Sequence, residues 1–319
     1  MTITVTVNGP YIVRGAVPLY RGEIVVNEAG EATGWREIER VPVGETYALC
    51  RCGKSGNKPL CDGSHFAEGF DGEEVAEREP YTEHAACTTG PGLKLLDARK
   101  LCAEARFCDR AGGLWNLIHQ CDDPEKLDLV EEEAALCPSG RYVTCDAETM
   151  QPHEPELEPS IWLIEDPQLG VSGGLWVRGG IQIIAADGTP YEVRNRVTLC
   201  RCGESKNKPL CDGSHIAAEF QGRSRRLVLH TFCCGRHGAH QMQPVRRHLG
   251  SCDIKAGHTR EPRVDEPKRV TLTSAEVLAW HGDAENLRLL KRTAQGVAAD
   301  AGRRFRVDGI APAAVGDAR

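Results

Sequence analysis

LCRCGKSGNKPLCDGSH at residues 49–65 recurs as LCRCGESKNKPLCDGSH at residues 199–215, with two differences in seventeen positions. Such agreement marks an internal duplication. The likeness extends upstream, where Tyr11-Ile12-Val13-Arg14-Gly15 parallels Leu175-Trp176-Val177-Arg178-Gly179. The upstream offset is 164 and the cysteine-motif offset is 150, so the second copy is fourteen residues shorter between the two landmarks.

Both upstream segments read as strands. Ile3, Val5 and Val7 alternate with polar residues, the period of a half-buried strand. Leu175–Ile184 is a β-rich run followed by Asp187-Gly188, a hairpin turn signal. Each copy thus reads as short antiparallel strands that feed a cysteine-rich loop and a helical turn.

Within the first loop, Cys50 and Cys52 are two apart and project to the same side of an extended segment. Cys61 and His65 are four apart, on one face of a helical turn. Pro59 presets the backbone before that turn, Asp62 is suited to cap its N–H groups, and Gly63 allows close approach. Cys200, Cys202, Cys211 and His215 repeat the set. On spacing alone, buried structural cysteine, a Cys₃His zinc site and an iron–sulfur site all stay open.

Both loops resemble the CDGSH iron–sulfur family, whose pattern is Cys-x-Cys, two residues, Ser/Thr, three residues, Pro-x-Cys-Asp-Gly-Ser-His. Ser55 and Pro59, and Ser205 and Pro209, fall on the family positions. The resemblance covers residues 1–80 and 159–232 and implies a [2Fe–2S] cluster per motif. By it, Cys50 and Cys52 hold one iron and Cys61 and His65 the other, with Cys200 and Cys202 set likewise against Cys211 and His215. It also implies that the two halves pair within one chain as a pseudo-dimer. The family's membrane anchor is lacking.

A different segment, 81–158, lies between the copies and closes on a Pro/Glu-rich linker, QPHEPELEPS at 151–160. Asp123-Pro124 is a helix start. Leu127, Val130 and Ala134 then share one face, and Cys137-Pro138 ends the helix. Cys102 and Cys108 have the spacing of a bacterial ferredoxin run whose middle cysteine is replaced, here by Ala105. The segment resembles a divergent single-cluster ferredoxin domain. That implies a [3Fe–4S] or [4Fe–4S] cluster on Cys102, Cys108 and Cys137, with Cys87 as the candidate fourth ligand. Cys121 and Cys145 are spare.

Composition narrows the function classes. A net charge of −7 and a pI near 5.9 give no general reason to expect nucleic acid. Apolar runs are too short for a membrane span, and the N-terminus lacks a signal-peptide pattern. With fifteen cysteines and no export signal, a reducing, cytoplasmic setting with metal-ligating thiols is expected. The 233–319 tail carries fifteen Lys/Arg against ten Asp/Glu. It is expected to be basic and poorly ordered, with helical patterning over 273–301. The Cys233–His240 cluster reads as part of that solvated tail, and Arg223, Arg225 and Arg226 as an exposed basic patch.

The expected fold is mainly β: two small β-rich halves flank an α+β ferredoxin-like insertion. The expected function is an iron–sulfur carrier of electrons or clusters, not an enzyme, whose partner is a redox or iron–sulfur acceptor protein. The alternatives are a redox subunit of a small-molecule reductase, for which no dinucleotide fingerprint speaks, and a zinc-bound interaction module.

Overall fold

The computed structural model describes residues 1–223. The expected basic tail, its patterned helix, Arg225, Arg226 and the Cys233–His240 cluster lie outside the described residues. The first copy supplies β1 (Thr2–Val5), β2 (Tyr11–Arg14), β3 (Leu19–Val26), β4 (Ala32–Val41), β5 (Thr46–Leu49) and the short helix α1 (Ser64–Ala67). The middle supplies α2 (Tyr81–His84), β6 (Ala86–Thr89), β7 (Leu93–Asp97), α3 (Leu114–Leu117), α4 (Pro124–Leu136), β8 (Tyr142–Asp146) and β9 (Pro152–His153). The second copy supplies β10 (Ser160–Asp166), β11 (Val171–Arg178), β12 (Gln182–Ile184), β13 (Arg196–Leu199) and α5 (Ser214–Ala217). The described residues are therefore mainly β.

Each copy builds the same antiparallel run, β1-β2-β5 in the first and β10-β11-β13 in the second. Tyr11, Ile12 and Val13 face Leu49, Ala48 and Tyr47, and their counterparts Leu175, Trp176 and Val177 face Leu199, Thr198 and Val197. Each copy then gives its next strand away. β12 adds in parallel to β1, with Ile3 opposite Ile183, while β3 adds in parallel to β10, with Ile161 opposite Leu19. The boundaries 1–80 and 159–232 thus delimit sequence repeats, while both sheets are shared. The exchange buries one continuous core: Ile3, Val5, Val13 and Leu19 pack with Ile161, Leu163, Leu175 and Ile183. Burying each such side chain is worth about 1.5–3 kcal/mol, so neither half keeps its core without the other. Val7, predicted to continue the alternation of β1, is exposed, because the strand stops at Val5 and the chain turns to reach Pro10.

The fourteen extra residues of the first copy fall within the β3–β4 hairpin, for β12 has no partner strand like β4. Asn27 Oδ1 accepts from the Ala29 and Glu31 amides at 3.0 and 2.9 Å to close its turn. Trp35 on β4 packs on Phe107 and Trp176, with ring centroids 5.0 and 4.8 Å away, and donates from Nε1 to the Leu136 carbonyl at 3.0 Å. The hairpin is the platform on which the middle segment sits.

That segment is a small α+β unit with strand order β6-β7-β8-β9. Helix α4 starts and stops as predicted. Asp123 Oδ1 accepts from the Glu125 amide at 3.0 Å, Pro124 is the first helical residue, and Cys137 ends the helix. Val130 and Ala134 pack with Leu93, Leu95, Leu114 and Ile118. Its last carbonyls are met from β13, where the buried Arg196 donates to Ala135 O and Cys137 O at 3.1 and 3.0 Å. Glu154 accepts from the same guanidinium at 2.8 and 2.9 Å. The predicted linker 151–160 is therefore tied down, because a buried arginine needs its carboxylate. Among the described residues, no helix is long and apolar enough to cross a membrane.

Candidate metal centres

Strand β5 delivers Cys50 directly from the sheet, and the loop then folds back on it. The Cys50 amide donates to Pro59 O at 2.8 Å, and the Cys61 amide donates to Ala48 O at 2.9 Å. Ser55 Oγ donates to Leu60 O at 2.7 Å and accepts from the Asn57 amide at 3.0 Å. Asp62 accepts from the Gly56 amide at 2.7 Å and, as predicted, from the Ser64 amide at 3.0 Å. Gly63 has φ +90°, a conformation suited to glycine, as it turns the chain into α1. These bonds bring together Cys50 Sγ and Cys52 Sγ at 3.8 Å, and Cys61 Sγ and His65 Nδ1 at 3.5 Å. In the second copy both separations are 3.6 Å, for Cys200 with Cys202 and for Cys211 with His215. All eight side chains are buried.

Two donors on one tetrahedral metal with bonds near 2.3 Å are about 3.8 Å apart, so each pair is spaced to share one ion. The neighbouring thiol, with backbone N–H groups of Ser55 and Gly53, holds the Cys50 thiol below the usual range, and Cys200 is lowered in the same way. The partner thiols Cys52 and Cys202 are pushed up, because each gives its proton to the neighbouring sulfur in a hydrogen bond, is buried, and would charge beside a thiolate. Burial raises Cys61 to about 12 and lowers His215 to about 4, which keeps that imidazole neutral and able to ligate. Such a donor set fits a metal. Among the described residues, no three His, Cys, Asp or Glu side chains converge on one ion position. The sets are pairs.

The third place is a cavity in the middle segment, about 290 Å³ of empty space including its open mouth, lined by Cys102, Cys108 and Cys137. Cys102 follows a turn of 3₁₀ helix, Cys108 lies in a second such turn, and Cys137 ends α4. Arg141 borders this cavity, held to Asp97 by two hydrogen bonds of 2.6 and 2.9 Å. Burial pushes the Cys102 and Cys108 thiols up. A bound cation would reverse that cost, so this set too fits a metal group.

The family model of the iron-binding zinc finger of CDGSH type matches residues 8–66 and 172–216. That of the divergent 4Fe-4S mono-cluster matches residues 88–146. The chain carries two CDGSH-type domains around a divergent mono-cluster domain. It is an iron–sulfur-binding protein. No curated protein and no solved structure matches it.

Of the residues proposed for the mono-cluster domain, the structure gathers Cys102, Cys108 and Cys137 and leaves Cys87 apart. Cys87 is exposed on edge strand β6, opposite Leu96 and beside Cys145, and does not line the cavity. It falls one residue before the matched range. The spare thiols are core residues: Cys121 packs with Leu117 and Val130, and Cys145 with Tyr81 and Val143.

Sequence reading missed the arginine inside each Cys-x-Cys. Arg51 is 1% exposed and donates to Gly72 O at 2.6 Å and Thr6 O at 3.2 Å. Arg201 donates to Gly173 O at 2.8 Å and Ile164 O at 2.7 Å. Both guanidiniums tie the Cys-x-Cys segment to carbonyls of neighbouring strands and turns, and Arg201 also pairs with Glu165 at 3.4 Å. Their signal was present, since Cys-Arg-Cys stands in both copies. Arg141 carried no comparable signal.

Proposed function

We propose that the protein is an electron carrier with a [2Fe–2S] cluster at Cys50, Cys52, Cys61 and His65, and another at Cys200, Cys202, Cys211 and His215. A third cluster, [3Fe–4S] or [4Fe–4S], is held by Cys102, Cys108 and Cys137, without Cys87. The supporting observation is the pairwise spacing of donors: two ligand pairs per motif suit two bridged irons. A bound cluster supplies one-electron chemistry. The protein's own groups hold it and exclude water from it, and at the middle site Arg141 beside Cys102 offsets its charge. The reciprocal exchange of β3 and β12 supports an internal pair of CDGSH-type domains in place of a homodimer. No nucleophile–base constellation belongs to this reading, and the partner is a redox or iron–sulfur acceptor protein in a reducing compartment such as the cytoplasm.

A second reading, a redox subunit that serves a small molecule, has one observation in its favour. A cleft of about 570 Å³ including open solvent, lined by Arg78, Tyr81, His84, Tyr191 and Arg194, reaches Cys211.

Anaerobic purification with iron, sulfide and zinc counts tests the main reading. About four irons and four sulfides are expected from the CDGSH-type sites, and about three or four more irons from the middle. Stoichiometric zinc with negligible sulfide would sink it.

A further inference from the structure

The loop Cys102–Cys108 faces two sites. Its ends line the middle cavity together with Cys137. Its interior reaches the second CDGSH-type site. Glu104 and Arg106 have φ +54° and +63°, the left-handed region that residues other than glycine seldom occupy. Glu104 Oε1 accepts from the Cys102 thiol at 3.3 Å, and the same side chain lies where a methyl group on Gly213 would collide with it. Gly213 stands between Cys211 and His215. Arg106 forms an ion pair with Asp166 and donates to Gln168 Oε1 at 3.0 Å, within electrostatic reach of His215. Two further contacts fix this arrangement: Asn207 Nδ2 donates to Lys100 O at 2.9 Å, and Leu210 packs on Leu101 and Leu96.

The first CDGSH-type site has a different neighbourhood at the same positions. A methyl group on Gly63 would meet nothing within 4 Å. Phe66 is 40% exposed beside His65, and Leu60, which like Leu210 packs on the shared core, has no contact with the middle segment's Leu96 and Leu101 cluster.

We propose that the Cys102–Cys108 loop, with Glu104 as its positioning residue, couples the middle site to the Cys200–His215 site and makes no such contact with the Cys50–His65 site. The proposal rests on the three-centre reading above. Its physical content is charge linkage. One carboxylate lies beside a ligand of the middle site and beside the ligand turn of the second site, so it disfavours an added electron at both. No bond forms or breaks. An electron from an external one-electron reductant such as dithionite meets a more negative surrounding at two centres than at the third.

Glu104 is exposed, so Glu104→Gln keeps the shape of the side chain and removes its charge without a packing defect. In holoprotein titrated with dithionite and followed by EPR, that variant should raise the potentials of the middle and the Cys200–His215 centres, with the Cys50–His65 centre moved least. His215→Cys and His65→Cys identify the two CDGSH-type signals, since each adds a negative charge at its own site and lowers that potential. Charge added by His215→Cys should also move the middle centre, and charge added by His65→Cys should not. A shift of the middle centre alone, an equal shift at all three, or none would overturn the coupling while three clusters still counted out. Iron and sulfide that fit only two centres would remove the three-centre reading and the coupling with it.

Discussion

The two CDGSH-type domains share fifteen of seventeen motif residues and the same local hydrogen bonds, yet they stand in different surroundings. The first site looks outward past Gly63 and Phe66, and the second lies under the loop of the mono-cluster domain. The difference traces to one asymmetry, the extra β3–β4 hairpin of the first copy. Its Trp35 seats the middle segment against Trp176 on the second copy's β11. Duplication supplied two equal sites, and a hairpin on one half gave a neighbour to the other.

The largest expected effect asks whether the sites are filled alike. Cys50→Ser with Cys52→Ser, and Cys200→Ser with Cys202→Ser, should each remove about two irons and two sulfides per chain. If one pair lost none, the two domains would not be equivalent ligand sets. A second comparison probes the face where the domains meet. A methyl group on Gly53 would collide with the Cys202 carbonyl, and one on Gly203 with the Cys52 carbonyl; both glycines have positive φ. Gly53→Ala and Gly203→Ala should each cost about 2–4 kcal/mol in denaturant unfolding, from strain plus overpacking. Equal costs would support the reciprocal contact. A neutral result at either position would break it.

Much of this was legible in the sequence because it is local. The duplicated loop, the cap of Asp123 and the face of Leu127, Val130 and Ala134 follow from spacings of a few residues. The exchange of β3 and β12 was not legible, since alternation tells which face of a strand is apolar and not which strand lies beside it. The fourteen-residue difference was visible only as a length, and nothing local says that Trp35 meets Trp176 across the repeat. Cys87 misled for a similar reason. A cysteine near a ferredoxin-like run reads as a ligand, whereas the register of β6 against β7 carries it to an outer edge.

A smaller effect should separate the domains by their dependence on the hairpin. Trp35→Ala removes the contacts to Phe107 and Trp176 and the bond to Leu136 O, at about 2–3 kcal/mol for a half-buried indole. Hydrogen exchange should rise in 99–112 and at Cys211–His215, and stay as in the parent at Cys61–His65. Equal loosening at both CDGSH-type sites would mean that the hairpin supports the shared core and not the asymmetry.

The smallest effect lies in Glu133 of α4, which the structure buries completely against Arg110. Burial, opposed by Arg110, raises its pKa to about 7. A carboxyl raised in the folded state binds more protons there than in the unfolded chain between about pH 4.5 and 7. Stability of this unit is therefore fully present below about pH 4.5 and falls as pH climbs through 7. Arg110 also holds Glu132 at 3.1 Å, so charging Glu133 asks one guanidinium to serve two carboxylates. Glu133→Gln should thus gain about 1 kcal/mol at pH 8 over the parent, with little gain at pH 5. Since α4 carries Cys137 and packs beneath the 107–112 turn, the pH response belongs in the mono-cluster domain and in the second site that it covers. Hydrogen exchange at pH 6 and pH 8 decides it: loosening of 107–112 in the parent but not in the variant is the expected result. A parent whose two CDGSH-type sites loosen together with pH would place the sensitive group in the shared core instead.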